Sequence, residues 1–250
     1  MNAVSDIRKA IVLAGGRGER LKPRVSHLPK PMAPVNGRPF LEYILDRLAE
    51  THLREVILAI GYRGAIIREH FGHTYRTLHL RYSEETVPLG TGGAMALALK
   101  HEDPSPVLVL NGDSFLEMDY PAFFSWYGVN EPLVAMVLRQ VPDVGRYGSV
   151  VLEGDQVIAF REKGEHGEGL ASAGVYVIRP TLFSDNRFGE AFSFETDVLQ
   201  RYGQELRPRG YMAKGYFIDI GTPEDYDRAQ LELAHVRRPM GERDVPGRDN

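Results

Sequence analysis

The residues with the chemistry to handle phosphate cluster first in the run Leu13-Ala14-Gly15-Gly16-Arg17-Gly18-Glu19-Arg20-Leu21-Lys22-Pro23. A glycine loop directly after a strand lets backbone N–H groups face an anion with no Cβ in the way. The spacing is not that of a dinucleotide-binding loop, because the third glycine of that pattern would fall at Leu21. Nor is it a Walker A loop, which ends Gly-Lys-Ser/Thr. Arg20 follows at once, and Lys30 is set between Pro29 and Pro31. A flexible guanidinium and an ammonium fixed between prolines can neutralise several phosphate charges and stabilise a leaving pyrophosphate. Taken alone, the loop is equally a plain strand-to-helix turn and the cations equally solvated surface charges. Asp113, in Leu110-Asn111-Gly112-Asp113-Ser114, ends an apolar run, and ligands of open α/β sheets bind at the carboxyl ends of strands. Asp219 ends a second short apolar run. Such carboxylates can share a Mg²⁺ ion with phosphate oxygens, although each singly reads as a loop carboxylate or helix cap. There is no Ser-His-Asp arrangement, and the eight histidines show no ligand spacing.

Two alternating periodicities supply the elements that would hold these residues. In the first half, short apolar runs predict strands over residues 9–14, 55–60, 77–82 and 106–110. Helical spacing predicts helices over 39–49, 65–71 and 93–100. Strand-helix alternation of this kind argues for parallel strands covered on both faces. In the second half, strands are expected over 133–140, 148–152, 156–161, 173–178 and 215–220, with helices over 195–202 and 223–233. The expected fold is α/β: a Rossmann-like, nucleotide-binding three-layer α/β/α arrangement with a mixed, mostly parallel sheet. No Ser/Gly linker divides the chain, so residues 1–236 read as one domain. Residues 237–250, polar and containing Pro and Gly, read as a disordered tail.

Composition narrows the field. With 30 Lys and Arg against 34 Asp and Glu, the net charge is −4, which argues against a nucleic-acid-binding surface. The absence of cysteine excludes disulfides, thiolate metal sites and cysteine nucleophiles. No apolar run nears the roughly 20 residues needed to cross a bilayer. The N-terminal apolar stretch runs straight into Gly-Arg-Gly-Glu-Arg with no cleavage-like site, so a cytoplasmic protein is expected.

The run LAGGRGERLKP, continuing through HLPKPMAPVNGRP, resembles the signature of the sugar-1-phosphate nucleotidylyltransferases, which make nucleotide-sugars. Four further segments resemble the family's motifs in order: Pro88 to Ala94, Leu110 to Ser114, Phe160 to Gly164 and Phe217 to Tyr226. Arg24-Val25-Ser26-His27 departs from the family's usual Leu-Thr start and is expected beside the loop. The resemblance implies nucleotide binding by Leu13, Ala14, Gly15, Gly16, Gly18, Gly90, Thr91 and Gly92, and Mg²⁺ held by Asp113 and Asp219. It implies catalysis through Arg20, Lys30, Asp113 and Lys163, whose ammonium would meet the sugar phosphate. It also implies a sugar pocket of Asn111, Gly148, Glu162, Lys163, Ser172 and Gly174, and a homo-oligomer. Ser172 stands where relatives often carry Asn, which removes an amide from that pocket. The attacking sugar-phosphate oxygen is anionic at neutral pH, so alignment and charge neutralisation would suffice.

Glu85 falls near where relatives place a base-reading side chain. A carboxylate accepts two N–H bonds well, and guanine offers N1 and N2 as paired donors, whereas uracil and thymine have one. GTP is therefore the expected donor. The motif set resembles that of the D-glycero-D-manno-heptose 1-phosphate guanylyltransferases, which feed capsule or S-layer heptose synthesis. Two alternatives stay open. One is a uridylyltransferase acting on a hexose or N-acetylmuramic acid 1-phosphate. The other is a regulatory sugar-nucleotide-binding subunit without catalysis, which should have lost the ligands Asp113, Asp219, Arg20, Lys30 and Lys163 that all remain.

Overall fold

A strand covered on both faces has no polar side to show to water, and Lys9–Leu13 is built that way: Ala10, Ile11 and Val12 are fully buried. The structure is a computed structural model and describes residues 6–145, 147–161, 166–185 and 187–236. In chain order the strands are β1 (Lys9–Leu13), β2 (Pro34–Val35), β3 (Arg38–Pro39), β4 (Glu55–Ile60), β5 (Thr74–Tyr75), β6 (Leu78–Glu84) and β7 (Val107–Asn111). They continue with β8 (Ser114–Leu116), β9 (Val134–Val141), β10 (Ser149–Glu153), β11 (Gln156–Arg161), β12 (Gly169–Ile178), β13 (Arg209–Met212) and β14 (Phe217–Asp219). The helices are α1 (Phe40–Ala49), α2 (Gly64–Phe71), α3 (Gly90–Leu99), α4 (Tyr120–Asn130), α5 (Arg201–Leu206) and α6 (Pro223–Glu232). A π-helical stretch, Phe194–Gln200, runs into α5.

Ten strands form one sheet in the order β10-β11-β13-β9-β12-β7-β1-β4-β6-β5. The strands β7, β1, β4 and β6 pair in parallel, so their carboxyl ends all open onto one edge. From β12 onward the pairing is largely antiparallel, with β9–β13 the parallel exception. The sheet is mixed as expected but not mostly parallel: parallel pairing is confined to β7-β1-β4-β6 and to β9–β13, because the later strands return through antiparallel pairings. Period-two alternation splits the core between the faces: Ala10 and Val12 pack with α1, α4 and α6, while Ile11 packs with α3 and the π-helical stretch.

Helix α4 and the short strands β2, β3, β5, β8 and β13 lie outside the sequence expectations. Helix α4 was hidden by an aromatic-rich run with strand-like composition, yet Tyr120, Phe123, Phe124 and Tyr127 are buried at helical spacing. The Asp119 side chain caps the helix by accepting the Ala122 N–H at 2.9 Å. The short strands β8 and β13 gain their identity only from their partners. Strand β12 also starts earlier than expected, at Gly169, and its pairing with β9 shifts register between Ser172 and Tyr176. Residues 237–250, read above as a tail, lie outside the described residues.

Candidate active site

Strand β1 runs out at Leu13 into the glycine loop, which lies across the carboxyl ends of β4 and β7. Ala14 donates its N–H to Ala59 O at 2.7 Å, Tyr62 to Gly15 O at 3.1 Å, and Gly112 to Leu13 O at 2.9 Å. A cleft of about 610 Å³ opens there. Leu13, Ala14, Gly15, Gly16, Gly18, Glu85, Gly90 and Thr91 line it, together with Arg20, Lys30, Asn111 and Asp113. Gly18 has φ +59°, and a Cβ on it would lie 3.0 Å from Lys30 Cβ, so the loop both turns left-handed and brushes the lysine. Gly92 is not part of the lining. A Cβ there would come within 2.3 Å of the Phe192 ring, so this glycine makes room for packing behind α3.

Glu85 reaches into the cleft across two glycines. A Cβ on Gly15 would sit 2.9 Å from Glu85 Oε1, and one on Gly61 would sit 2.6 Å from it. Oε2 accepts the Leu89 N–H at 3.1 Å. The carboxylate is thus anchored by one oxygen and flanked by bare backbone, which leaves lone pairs available to a ligand.

The carboxylate pair is assembled by a ribbon. Strands β8 and β14 pair antiparallel with Ser114 opposite Asp219. Ile220 extends the ribbon by donating its N–H to Asp113 O at 3.0 Å. Lys30, with its side chain 9% exposed, places Nζ 2.6 Å from Asp113 Oδ2 and 3.5 Å from Asp219 Oδ1. Asp219 Oδ1 also accepts the Gly221 N–H at 2.5 Å. Burial raises the Asp219 carboxyl above the usual carboxylate range, the Asp113 charge adds to the rise, and Lys30 works against it. A Cβ on Gly221 would lie 2.7 Å from Asp219 Oδ1, 3.3 Å from Lys30 Nζ and 3.4 Å from Arg20 Nη2. Arg20, Lys30 and both aspartates therefore converge on one point. Among the described residues no group of three or more His, Asp or Glu could hold a metal. A two-carboxylate site suits a hard cation that takes its other ligands from phosphate and water.

On the far side of Asn111 the sheet bulges. Gly174 has φ +69°, and a Cβ there would strike Asn111 Nδ2 at 2.6 Å. Asn111 Oδ1 is buried without a hydrogen-bond partner, a costly state for an acceptor unless a ligand donates to it. Ser172 accepts the Gly174 N–H at 3.2 Å. Gly148 follows Tyr147 in a turn closed by its N–H on Val144 O at 2.9 Å. Glu162 and Lys163 lie outside the described residues. The departing segment Arg24 to His27 does sit beside the loop. Arg24 Nη2 pairs with Asp227 Oδ2 at 2.6 Å on α6, and Arg63 donates to His27 O.

Residues 9–236 match the nucleotidyl transferase family. The chain belongs to that family. This nucleotidyl transferase is 40% identical over 227 residues to the D-glycero-alpha-D-manno-heptose 1-phosphate guanylyltransferase of Aneurinibacillus thermoaerophilus, covering 91% of this chain and 99% of the relative. It is 42% identical over 219 residues to the protein of the same name from Campylobacter jejuni, covering 87% and 96%. Among solved structures, HddC from Yersinia pseudotuberculosis, complexed with GMP-PN, superposes with TM-score 0.79 at 32% identity, covering 91% of this chain and all of that one.

Sequence reasoning missed part of the nucleotidyl transferase cleft. Gly61 and Tyr62 line it at the carboxyl end of β4, where the rule that singled out Asp113 applies equally. Gly221 lines it through a turn whose place depends on the ribbon. Glu195, which meets Thr91 at 2.9 Å, carried no signal in the chain, because nothing local marks its partners.

Proposed function

We propose that this chain transfers a guanylyl group from GTP to a sugar 1-phosphate and releases pyrophosphate, with D-glycero-α-D-manno-heptose 1-phosphate as the acceptor. The observation that carries the reaction type is the placement of Lys30 between Asp113 and Asp219 at the mouth of the glycine-loop cleft. In this reading a phosphate oxygen of the sugar 1-phosphate attacks the α-phosphorus of GTP. The bond from the α-phosphorus to the oxygen bridging to the β-phosphorus breaks, and the electron pair leaves with pyrophosphate. The nucleophile is already an anion, so no base is needed. The chain's work is to align two repelling anions and neutralise them. Arg20 and Lys30 act on the triphosphate, and Lys163 on the sugar phosphate. Asp113 and Asp219 would hold a divalent ion, assigned as Mg²⁺, which when bound screens the phosphate charges.

Guanine is supported by the anchored Glu85 carboxylate and by the two relatives named guanylyltransferases. The heptose rests on the names of those relatives, with Asn111 Oδ1 and Ser172 as hydroxyl-reading groups. No helix of the described residues is long and apolar enough to cross a membrane. The reading places the reaction in the cytoplasm, in a homo-oligomer, feeding capsule or S-layer heptose.

A pyrophosphate-release grid tests the reading: four NTPs with Mg²⁺ against manno-heptose, mannose, glucose and N-acetylglucosamine 1-phosphates. Release confined to GTP with the heptose phosphate is expected. Release with UTP would discard the Glu85 argument, and silence across the grid would overturn the reaction.

A further inference from the structure

One carboxylate outside the residues assigned above joins the nucleotide side of the cleft to the acceptor side. Glu195, in the π-helical stretch, receives three hydroxyls: Thr91 Oγ1 at 2.9 Å and Ser193 Oγ at 3.3 Å on Oε2, and Tyr176 OH at 3.2 Å on Oε1. Thr91, in the first turn of α3, also accepts the Phe194 N–H at 2.8 Å. Tyr176 is 1% exposed, and its hydroxyl lies 3.0 Å from Ser172 Oγ. These two residues flank the register shift of β12.

Counting protons fixes the direction of every bond. A carboxylate only accepts, and a phenol has one proton, so Tyr176 donates to Glu195. Ser172 must then donate to the Tyr176 oxygen. With the Gly174 N–H on one lone pair, Ser172 keeps a single lone pair and no proton to offer a ligand. The relay runs from Ser172 through Tyr176 to Glu195, where Thr91 meets it from the other side. The relay centres on the buried Tyr176 with half-buried partners on both sides, and such networks are rigid when every member is satisfied.

We infer that Glu195 is a positioning residue: it locks the bulge of β12 to the nucleotide loop at Thr91 and fixes Ser172 as a hydrogen-bond acceptor, so that the acceptor sugar must present a hydroxyl donor there. The inference rests on the transfer reaction proposed above. In Glu195→Gln the amide can donate as well as accept, so the Tyr176 proton is free to turn toward Ser172, and the relay loses its direction.

The test is steady-state kinetics of the full chain with both substrates varied. Glu195→Gln is expected to raise KM for the heptose 1-phosphate about tenfold and KM for GTP about threefold, with kcat within about threefold of the parent. Tyr176→Phe, which deletes one hydroxyl, should reproduce the acceptor effect alone. Unchanged acceptor KM in the two variants would overturn the inference, and in Tyr176→Phe alone if Glu195→Gln does not fold. Should the parent protein release no pyrophosphate, the transfer reading fails instead, and the relay is read from melting temperatures. The Tm shifts of Thr91→Val and Tyr176→Phe should be non-additive with Glu195 present and additive in Glu195→Gln. Additivity in both backgrounds overturns the inference as well.

Discussion

The glycine-loop side of the cleft, proposed above to take the nucleotide, and the carboxylate side are built by different means. Leu13, Ala59 and Asn111 stand at or next to the carboxyl ends of β1, β4 and β7, three parallel neighbours, so one edge of one sheet brings them together. Each is placed by its own strand and the loop that follows. Asp113 and Asp219 depend on a ribbon of two three-residue strands, drawn from distant parts of the chain and seated on the core through Phe115 and Ile218. The first construction should tolerate loss of one contact. The second has two carboxylates, one lysine and a single pairing register.

That contrast can be broken directly. The largest effect is expected from Asp113→Asn, which keeps the side-chain shape and removes the charge. Turnover should fall about a thousandfold or more while the melting temperature stays near that of the parent. Near-normal pyrophosphate release would show that the ribbon does not carry the chemistry. Ile218→Ala should cost about 2–5 kcal/mol of stability, because Ile218 is fully buried at the ribbon's centre. Below its melting point, the variant should lose more turnover than affinity for GTP. Equal losses in both, measured by calorimetry and by pyrophosphate release, would erase the distinction between the two sides.

On the nucleotide side, Glu85→Gln should reduce the preference for GTP over the other NTPs by about 1–3 kcal/mol, leaving kcat for the preferred pair little changed. Competition kinetics would read this, and undiminished preference would move base reading elsewhere. The smallest effect concerns Asp143, which closes the loop leading to Gly148, proposed above to meet the acceptor. The Gly145 N–H bond, then His166 and the Gly167 N–H, hold its carboxyl down to about 2. A depressed folded value means that this contribution is complete above the ordinary carboxylate range near 4 and is lost as pH falls through 2. Carboxyl NMR titration should find that low midpoint in the parent. An ordinary midpoint would show the clamp to be open in solution.

The sequence was most informative where chemistry and local geometry coincide. The glycine loop, the Pro-Lys-Pro segment and the apolar β1, β4 and β7 are each legible from a few consecutive residues, since burial on both faces leaves an uninterrupted apolar run. Asp113 could be singled out by its place after an apolar strand. Its partnership with Asp219 came from the resemblance alone, for no local pattern pairs residues so far apart. Helix α4 shows the opposite failure: its burial spacing was present in the chain, but residues 120–130 were given no element, since an aromatic-rich run does not favour a helix. Glu195 was illegible because its role lies in three hydroxyls that the register of β12 and the start of α3 deliver to it.

The β8–β14 ribbon also has a consequence in time. The parallel strands β1 and β4 are joined by one crossover, which carries the β2–β3 hairpin and α1, so they can pair earlier than elements farther apart in the chain. The ribbon can close only after the chain from Ser114 to Asp219 has been made and its intervening strands have found their places. Closing so long a loop carries a large entropic cost and is repaid late. The glycine-loop cradle proposed for the triphosphate should therefore form before the carboxylate pair proposed to hold the cation. A refolding chain would recover nucleotide binding first and turnover last, with a lag that lengthens in variants that weaken the ribbon.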